Sequence, residues 1–354
     1  MSLAEDLRAT DQELRQEKAE LAAVNAELRA AQRELDRAFE IDRLIDRFNP
    51  KRLVVPEWIS TPGRRTTGRY RAMATLQLSD THFDEVVKAE QFDGYNAYDR
   101  AIAVQRLQRT AEKTIEVAHD FIGGVDYDGL VILATGDIFS GDIHEELRRT
   151  NEAPLYASCA YWVGHMVTFL RTLADDFGKV HVGCVVGNHG RNSIKPIYKD
   201  RAQNNIEWLF WHYVADVLAA VGEKRVTFNI SDGLKGRTTV YTTRYMYEHG
   251  DEFHGGGGIS GARAPLLLGQ HRASVQSTVM DQPMDWMVVG HFHQYQPPSQ
   301  GLIMGGSLIG YNEFAAGKHL RPEAPMQGFW VTTPERGPTV FAPIQPQNRE
   351  AEGW

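Results

Sequence analysis

Cysteine is scarce in this sequence of 354 residues, and no stretch of it is long and apolar. The two cysteines, Cys159 and Cys184, lie far apart and form no paired metal motif. A disulfide-stapled secreted domain and a thiolate zinc site are therefore not predicted. No run of about 18 apolar residues occurs, so no membrane-spanning helix is predicted. The charged N-terminal segment lacks the apolar centre of a secretory signal, and we expect a cytoplasmic protein with no membrane partner.

A basic excess is also missing. Lysine and arginine total 38 against 46 aspartates and glutamates, which gives a formal net charge of −8. Proteins that hold long nucleic acids usually carry a basic surface, so this balance argues mildly against a broad nucleic-acid interface. It does not exclude a nuclease, because bound divalent cations would neutralise acid at the site.

Residues 1–48 have a heptad pattern. Thr10 and Glu17 interrupt a second apolar stripe, but the main stripe is regular and consists of Leu7, Leu14, Leu21, Leu28 and Leu35. Five leucines at a period of seven predict a long coiled-coil helix. We expect homo-oligomerisation through this helix, with a helix folded back onto its own domain as the alternative.

The remaining chain divides into a linker at 49–71, a main domain at 72–345 and a tail at 346–354. The linker contains proline, a Pro-Gly pair and several arginines, which favour a solvated connection. In the main domain, strand-like runs alternate with helix-like runs, and this predicts an α/β core. The strand-like runs are Met73–Leu78, Leu130–Ala134, Val180–Val186, Thr238–Tyr245, Trp286–Val289 and Gly328–Thr332. The helix-like runs are Tyr98–Phe121, Pro154–Phe177 and Gln203–Val221.

Polar residues follow five of the strand-like runs. They are Asp80 and His82, then Asp137, then Asn188 and His189, then His249, and last His291 and His293. Ligands of α/β sheets bind at the carboxyl ends of the strands, so we expect these side chains to share one crevice. Two carboxylates, one amide and five imidazoles suit manganese, iron or zinc. Because these donors exceed the needs of one ion, we predict two divalent ions, with manganese first and iron or zinc as alternatives.

The five blocks resemble the calcineurin-like metallophosphoesterase family. Its pattern of Asp-x-His, Gly-Asp, Gly-Asn-His, a lone His and Gly-His-x-His occurs here in order between residues 80 and 293. The resemblance implies a four-layer α/β/β/α sandwich with mixed sheets, preceded here by the predicted coiled coil. It also implies a hydrolase that attacks a phosphoester with a water activated by two metals.

The resemblance assigns roles residue by residue. Asp80, His82 and His293 would hold one ion, Asn188, His249 and His291 the other, and Asp137 would bridge both. His189 would be the general acid for the leaving group. The sequence departs from the family where Gly190 replaces an acidic residue after Gly-Asn-His, directly after His189, and where Ser140 replaces an aspartate after Gly-Asp.

Four further residues are candidates. Arg191 would clamp a phosphate, Asp251 and His254 would support metal ligands from behind, and Glu313 follows a short motif. For each, an ordinary surface or capping role is an equal alternative. The histidines outside the blocks, among them His144, His181 and His212, are interpreted as satisfied core residues.

The substrate is less defined. The segment Met304–Leu308 resembles the Pro-Gly-Ser segment of the nuclease branch, although Gly305 stands at the proline. It favours a phosphodiesterase or nuclease acting on nucleic acid or nucleotides. The alternatives are a phosphomonoesterase for a small molecule or phosphoprotein, and a non-catalytic coiled-coil scaffold with a structural metal site.

Overall fold

The computed structural model describes residues 55–63, 69–253, 263–317 and 319–354. The predicted coiled coil at 1–48 lies outside these residues, as do most of the predicted linker and His254. The domain boundaries drawn from the sequence therefore stay predictions.

Helices and strands alternate along the first half of the described chain. The strands are β1 (Tyr70–Leu78), β2 (Val125–Ala134), β3 (Val180–Cys184), β4 (Val226–Ile230), β5 (Gly236–Val240), β6 (Thr243–Glu248), β7 (Trp286–Val289), β8 (Gln296–Ser299), β9 (Leu302–Met304), β10 (Gln327–Thr333) and β11 (Gly337–Ile344). The helices are α1 (Glu57–Ser60), α2 (Arg100–Glu116), α3 (Glu145–Thr150), α4 (Leu155–Phe177), α5 (Ile206–Ala220), α6 (Arg263–Val279), α7 (Glu313–Gly317) and α8 (Arg349–Glu352).

Two mixed sheets organise these elements. The first has the order β11-β10-β1-β2-β3-β4, and β1 to β4 run parallel while β10 and β11 are antiparallel additions. The second has the order β5-β6-β7-β9-β8, with parallel pairs β6–β7 and β7–β9 inside two antiparallel edges. The parallel strands point their carboxyl ends to one edge of each sheet, and this is the edge where the predicted site residues begin.

The predicted single strand Thr238–Tyr245 is wrong, because the chain turns within it. β5 and β6 form a hairpin whose tight turn contains Tyr241, at φ 52°. The sequence offers no glycine, asparagine or proline there to mark a turn. Tertiary contacts hold the turn instead, since the Tyr241 amide donates to the Ile59 carbonyl at 2.9 Å and its hydroxyl donates to Asp128 Oδ2 at 2.7 Å.

The core lies between the two sheets. Side chains alternate along a strand, so Val131 and Leu133 of β2 face inward to meet Tyr245 and Tyr247 of β6. Trp330 is fully buried in the same cluster, where its Nε1 donates to the Tyr245 hydroxyl at 3.1 Å. Truncating such an aromatic side chain typically costs about 3–5 kcal/mol.

Helices cover the outer faces. α4 packs on β2, β3 and β4, and α5 packs on α4 and β4. On the second sheet, Leu266 and Ala273 of α6 pack on a cluster that includes Met246 and Met287. Two mixed sheets flanked by helices fit the calcineurin-like fold that the sequence resemblance implies. Among the described helices, none is long and apolar enough to cross a membrane.

Helix boundaries depart slightly from the predicted ones. The helix predicted from Tyr98 begins at Arg100, because Asp99 caps it and its side chain accepts a hydrogen bond from the Ile102 amide at 2.7 Å. The last predicted turn, Val117–Phe121, is π-helical. Strands β4 and β11 and helix α6 were not among the predicted elements.

Candidate metal centre

The loops that follow β1, β2, β3, β6 and β7 meet at one place. They bring together all seven predicted metal ligands and His189, although these residues span more than two hundred positions of the chain. The convergence expected at the strand ends is therefore present in the structure. The role of each side chain as a ligand stays a prediction.

The backbone at this place is strained. Five of the converging residues are non-glycine residues with positive φ: Asp80 (50°), His82 (46°), Asp137 (52°), His291 (70°) and His293 (52°). A side chain in this left-handed region costs about 1–3 kcal/mol, and such strain concentrates at functional sites. The rest of the fold holds these loops in place against that cost.

One cluster of donor atoms consists of Asp80, His82 and His293, whose ligand atoms lie within 4.8 Å of one another. The Nε2 atoms of His82 and His293 are 3.1 Å apart, and His293 Nε2 is 3.3 Å from Asp80 Oδ1. The main-chain amide of His291 donates to both carboxylate oxygens of Asp80, at 3.1 and 3.0 Å. These three residues are the ones that the resemblance assigns to a single ion.

A second cluster consists of Asp137, His249 and His291, with Asn188 beside it. His249 Nε2 lies 2.9 Å from Asp137 Oδ2, 3.2 Å from His291 Nδ1 and 3.0 Å from Asn188 Oδ1. The second ligand set implied by the resemblance therefore also gathers around one point.

Asp137 links the two clusters. Its Oδ2 lies 2.9 Å from His249 Nε2 and 3.9 Å from His82 Nε2, so this one oxygen approaches an imidazole of each cluster. The main-chain amide of His189 donates to its other oxygen, Oδ1, at 2.8 Å. The position fits the bridging role that the resemblance implies.

The chemistry of the donor set fits divalent cations. Imidazole nitrogens approach each other at 3.1 and 3.2 Å in the two clusters, and Asp80 and Asp137 are buried between them. Buried charges require partners, and a cation placed among these lone pairs would satisfy carboxylates and imidazoles together. Oxygen and nitrogen donors without thiolate suit manganese, iron and zinc alike.

The clustered charges shift the titration of their neighbours. Burial would lower the pKa of His82, but Glu85, Asp137 and Asp80 outweigh it and raise that pKa to about 9. Burial would raise the pKa of Asp137, but His249 and His189 hold it well below its usual range. In the metal-free protein, the raised pKa of His82 thus places a positive charge among the site carboxylates.

The ligand imidazoles are held from behind. Glu85 Oε2 lies 3.1 Å from His82 Nδ1, and Asn312 Nδ2 donates to the other Glu85 oxygen at 2.9 Å. His249 Nδ1 lies 2.8 Å from the Thr135 carbonyl, which fixes a proton on Nδ1. Both contacts leave Nε2 free to bind a cation. Sequence reasoning did not identify Glu85, which lies outside every motif.

Glu207 is a second residue that sequence reasoning missed. This buried carboxylate accepts from the Gly187 amide at 2.8 Å and from the Ile138 amide at 2.9 Å, so it ties together the loops that carry Asn188 and Asp137. Burial, with Asp137 nearby, raises its pKa to about 7. One signal was available, since Glu207 directly precedes the apolar run Trp208–Trp211, and a glutamate is rarely buried without partners.

The same region explains the departure at Gly190. A Cβ on this residue would lie 2.3 Å from Asn205 Oδ1 and 2.9 Å from Glu207 Cγ. Asn205, which caps α5 by accepting from the Glu207 amide, therefore occupies the space beside the Gly-Asn-His turn. An acidic side chain at position 190 does not fit this packing.

His189 is oriented by the main chain at Ser140. Its Nδ1 lies 2.7 Å from the main-chain carbonyl of Ser140, and its Nε2 lies 3.9 Å from Asp137 Oδ2. Burial lowers the pKa of His189 to about 4. The resting imidazole is therefore neutral at pH 7, with its proton on Nδ1 and the Nε2 lone pair directed to the cavity.

A cavity of about 840 Å³ opens over both clusters. His82, Asp137, Asn188, His189, His291 and His293 form its floor. Its walls come from the start of α3, from α7 and from residues 85–91. Glu145, Glu146 and Glu313 line it, and Lys88 is the only lysine or arginine among the described lining residues.

The additional candidates are placed as follows. The Arg191 guanidinium donates to the carbonyls of Ser193 and Ile194 at 2.8 and 2.7 Å, away from the main cavity. Asp251 accepts from Arg201 Nη2 at 2.5 Å and lies near His249. Their proposed roles stay predictions.

The core interpretation of the remaining histidines is correct for His181 and His212, which are buried. It is wrong for His144, which is exposed and lines the cavity. It is also wrong for three histidines elsewhere that are exposed, namely His119, His271 and His319. The residue type histidine does not by itself indicate burial, and no periodic pattern in the sequence indicated whether these four histidines are buried or exposed.

Several solved structures are similar to this chain. A predicted phosphoesterase from Streptococcus pneumoniae has 12% identity and a TM-score of 0.28 over 77% of this chain and 97% of its own. Vps29 from Entamoeba histolytica, complexed with zinc, has 11% identity and a TM-score of 0.28 over 78% and 100%. A dimetal phosphatase from Danio rerio has 10% identity and a TM-score of 0.36 over 78% and 99%.

No family model matches the chain, and no curated protein matches it.

Proposed function

We propose that this protein is a metal-dependent phosphodiesterase that hydrolyses nucleotides or short nucleic-acid segments. One observation supports this proposal above the others. Two clusters of ligand atoms share Asp137 at the floor of a cavity, and His189 stands beside them. A structural metal site would be closed, whereas this one opens into a space large enough for substrate.

The residues would divide as the resemblance implies. Asp80, His82 and His293 would hold one divalent ion, and Asn188, His249 and His291 the other, with Asp137 between them. Two such ions supply an activated water and neutralise charge on the phosphoryl oxygens. The protein contributes the rigid placement of the ligands, through Glu85 and Glu207 among others.

His189 would act on the leaving group. Its Nδ1 is committed to the Ser140 carbonyl, so only Nε2 is available to substrate. An anionic phosphoester in the cavity favours protonation of that nitrogen, and the proton then passes to the departing oxygen. General acid catalysis of this kind contributes roughly 10²–10⁴-fold in rate.

The cavity favours a small diester over a long polymer. A volume of about 840 Å³ matches a nucleotide-sized ligand. Long nucleic acids depend on many lysine and arginine contacts with phosphate, and the lining has five carboxylates but only one lysine and no arginine among the described residues. A phosphomonoesterase remains the second candidate, because the same floor would serve a terminal phosphate.

Hydrolysis of bis-p-nitrophenyl phosphate against p-nitrophenyl phosphate tests the proposal. The protein would be stripped of metal and then supplied with manganese, iron or zinc, beside His189→Ala and Asp137→Asn. Metal-dependent cleavage of the diester that both variants lose supports a phosphodiesterase. Cleavage of the monoester alone indicates a phosphatase, and no turnover with metal bound indicates the scaffold alternative.

We also propose a cytoplasmic protein that self-associates through residues 1–48. The heptad leucines support this proposal. Light scattering on the full chain and on a chain that begins at residue 49 tests it. A monomer in both cases would rule out this mode of association.

A further inference from the structure

His144 lies beside His189 at the wall of the cavity. The two ring centroids are 5.5 Å apart and the ring planes are inclined at 58°. His144 is exposed, and the described residues offer its side chain no hydrogen bond. Two imidazoles thus face the cavity on the side where His189 would meet the leaving group.

We propose that His144 is a proton-supplying residue, which returns a proton to His189 after His189 has protonated the departing oxygen of the phosphoester. This inference rests on the proposed function, since it concerns the same cavity and the same bond. It gives the segment between β2 and α3 a role in the cleavage of phosphoesters that have poor leaving groups.

The backbone around His144 is anchored to the site. The loop that ends there also carries Asp137 and the Ser140 carbonyl that orients His189. Asn151 Nδ2 donates to the Gly141 carbonyl at 2.9 Å, and the Arg148 amide donates to the His144 carbonyl at 3.0 Å. A Cβ at Gly141 would lie 1.9 Å from the His189 carbonyl oxygen, so the two loops pack in close contact.

The environments of the two imidazoles differ. His189 is largely buried, and its Nδ1 is occupied by a main-chain carbonyl. His144 has a solvent side, from which it regains a proton after each turnover. An exposed imidazole with an open path to water is the better proton source, while a buried one is the better fixed contact.

The step balances as follows. Water forms a new bond to phosphorus as the bond between phosphorus and the leaving oxygen breaks, and the electron pair of the broken bond stays on that oxygen. The oxygen takes the Nε2 proton of His189, and the His144 imidazolium returns a proton to that nitrogen. His144 then regains its proton from solvent, which receives the proton lost by the attacking water. The departing group leaves as a neutral alcohol or phenol.

A purely structural role for His144 makes a different prediction. If its ring only packs against His189, its removal slows every diester by the same factor. If it supplies the proton that His189 gives to the leaving group, the loss depends on how much that group needs a proton. p-Nitrophenolate leaves readily without one, whereas phenolate does not.

The test measures kcat/KM of the metal-loaded full chain for bis-p-nitrophenyl phosphate and for diphenyl phosphate. Three variants are compared with the unchanged protein: His144→Ala, His144→Asn, and His271→Ala as an exposed histidine on α6 away from the cavity. We expect His144→Ala to lose roughly 10-fold or more on diphenyl phosphate and about 2-fold or less on the nitrophenyl diester. We also expect added imidazole to restore part of the loss, and His271→Ala to change neither rate.

Equal losses on both diesters, or no loss, would overturn the role of His144 and leave the proposed function standing. An unchanged protein that cleaves neither diester with metal bound would overturn the proposed function, and this inference with it. Thermal unfolding of each variant verifies that the exposed substitution leaves the fold intact.

Discussion

The two sheets supply different donors to the metal centre. The loops of the first sheet carry both carboxylates, the Asn188 amide, His82 and His189, while the loops of the second carry only imidazoles, namely His249, His291 and His293. Each cluster therefore combines a charged oxygen from one sheet with nitrogens from the other. Neither of these two clusters lies on one sheet alone, although a third group, His82, Asp137 and His189, lies wholly on loops of the first sheet. Ions in the two clusters would join the sheets to each other.

The sheets are also joined without metal. Gln77 of β1 donates through Nε2 to the Val289 carbonyl of β7 at 2.8 Å and to Thr135 Oγ1 at 3.0 Å. A Cβ at Gly305 would lie 2.6 Å from the end of this side chain. The glycine that replaces a proline in the short nuclease-like segment therefore makes room for a polar link between the sheets.

Removal of metal should have the largest effect on the link between the two sheets. Because a ligand that binds only the folded state stabilises it by about 2.7 kcal/mol at 100 times its dissociation constant, chelation should lower the unfolding temperature and abolish hydrolysis. Calorimetry with and without manganese, alongside an activity assay, measures both. An unchanged melting temperature would contradict the view that ions join the sheets.

Asp137→Asn should be the most damaging single substitution. It removes the charge that approaches both clusters, whereas Asp80→Asn affects one cluster only. We expect kcat to fall by roughly 10²–10³-fold or more for Asp137→Asn, with loss of metal stoichiometry by elemental analysis. If Asp80→Asn loses as much metal as Asp137→Asn, the bridging assignment is wrong.

Glu207→Gln should have an intermediate effect. An amide keeps only one acceptor oxygen for the two main-chain donors, Gly187 and Ile138, and its NH₂ group would face one of them. Residues that support metal ligands in this way are typically worth about 10–100-fold in metal affinity or activity. Isothermal titration with manganese measures the change, and Glu146→Gln, an exposed substitution in the cavity wall, is the control.

Four of the six strands of the first sheet were predicted, namely β1, β2, β3 and β10, whereas in the second sheet β7 was predicted with its bounds and the β5–β6 hairpin was not. Strands β1, β2 and β3 alternate with long helices, and each is followed by a short motif that includes glycine or aspartate. The hydrophobic pattern and the polar motif therefore indicate the same strand ends. β8 and β9 are only four and three residues long, which is too short for a period to be recognised. The β5–β6 turn depends on contacts of Tyr241 with distant residues, which a local pattern cannot contain.

The metal ligands were predictable because their chemistry restricts them to a few residue types at strand ends. Their supports were not, because hydrogen bonds to a ligand come from any part of the chain. Glu85 lies three residues after His82, but Glu207 lies 70 residues after Asp137, on a helix. Sequence reasoning did not identify His144 for a third reason, because its position in the cavity depends on how its loop packs against His189.

The smallest predicted effect concerns protons. Burial would lower the pKa of His82, but Glu85 and the site aspartates raise it to about 9, so the metal-free protein holds a proton there at pH 7. A cation at Nε2 must displace that proton, and metal binding at pH 7 should release it to the buffer. Metal affinity should therefore rise between pH 7 and pH 9, as the proton is lost without metal.

The stability of the metal-free protein should change in the opposite direction. Because the folded pKa of His82 lies above its ordinary value of 6.5, the contribution of this residue to the free energy of unfolding is complete below about pH 6.5 and disappears as the pH rises through about 9.

Titration calorimetry in buffers of different ionisation enthalpy counts the protons that metal binding releases. Glu85→Gln removes the neighbouring carboxylate and should reduce the count at pH 7, while Glu146→Gln should not. Equal counts in both variants would mean that Glu85 does not hold the His82 proton, and that the two sheets balance their charges through the aspartates alone.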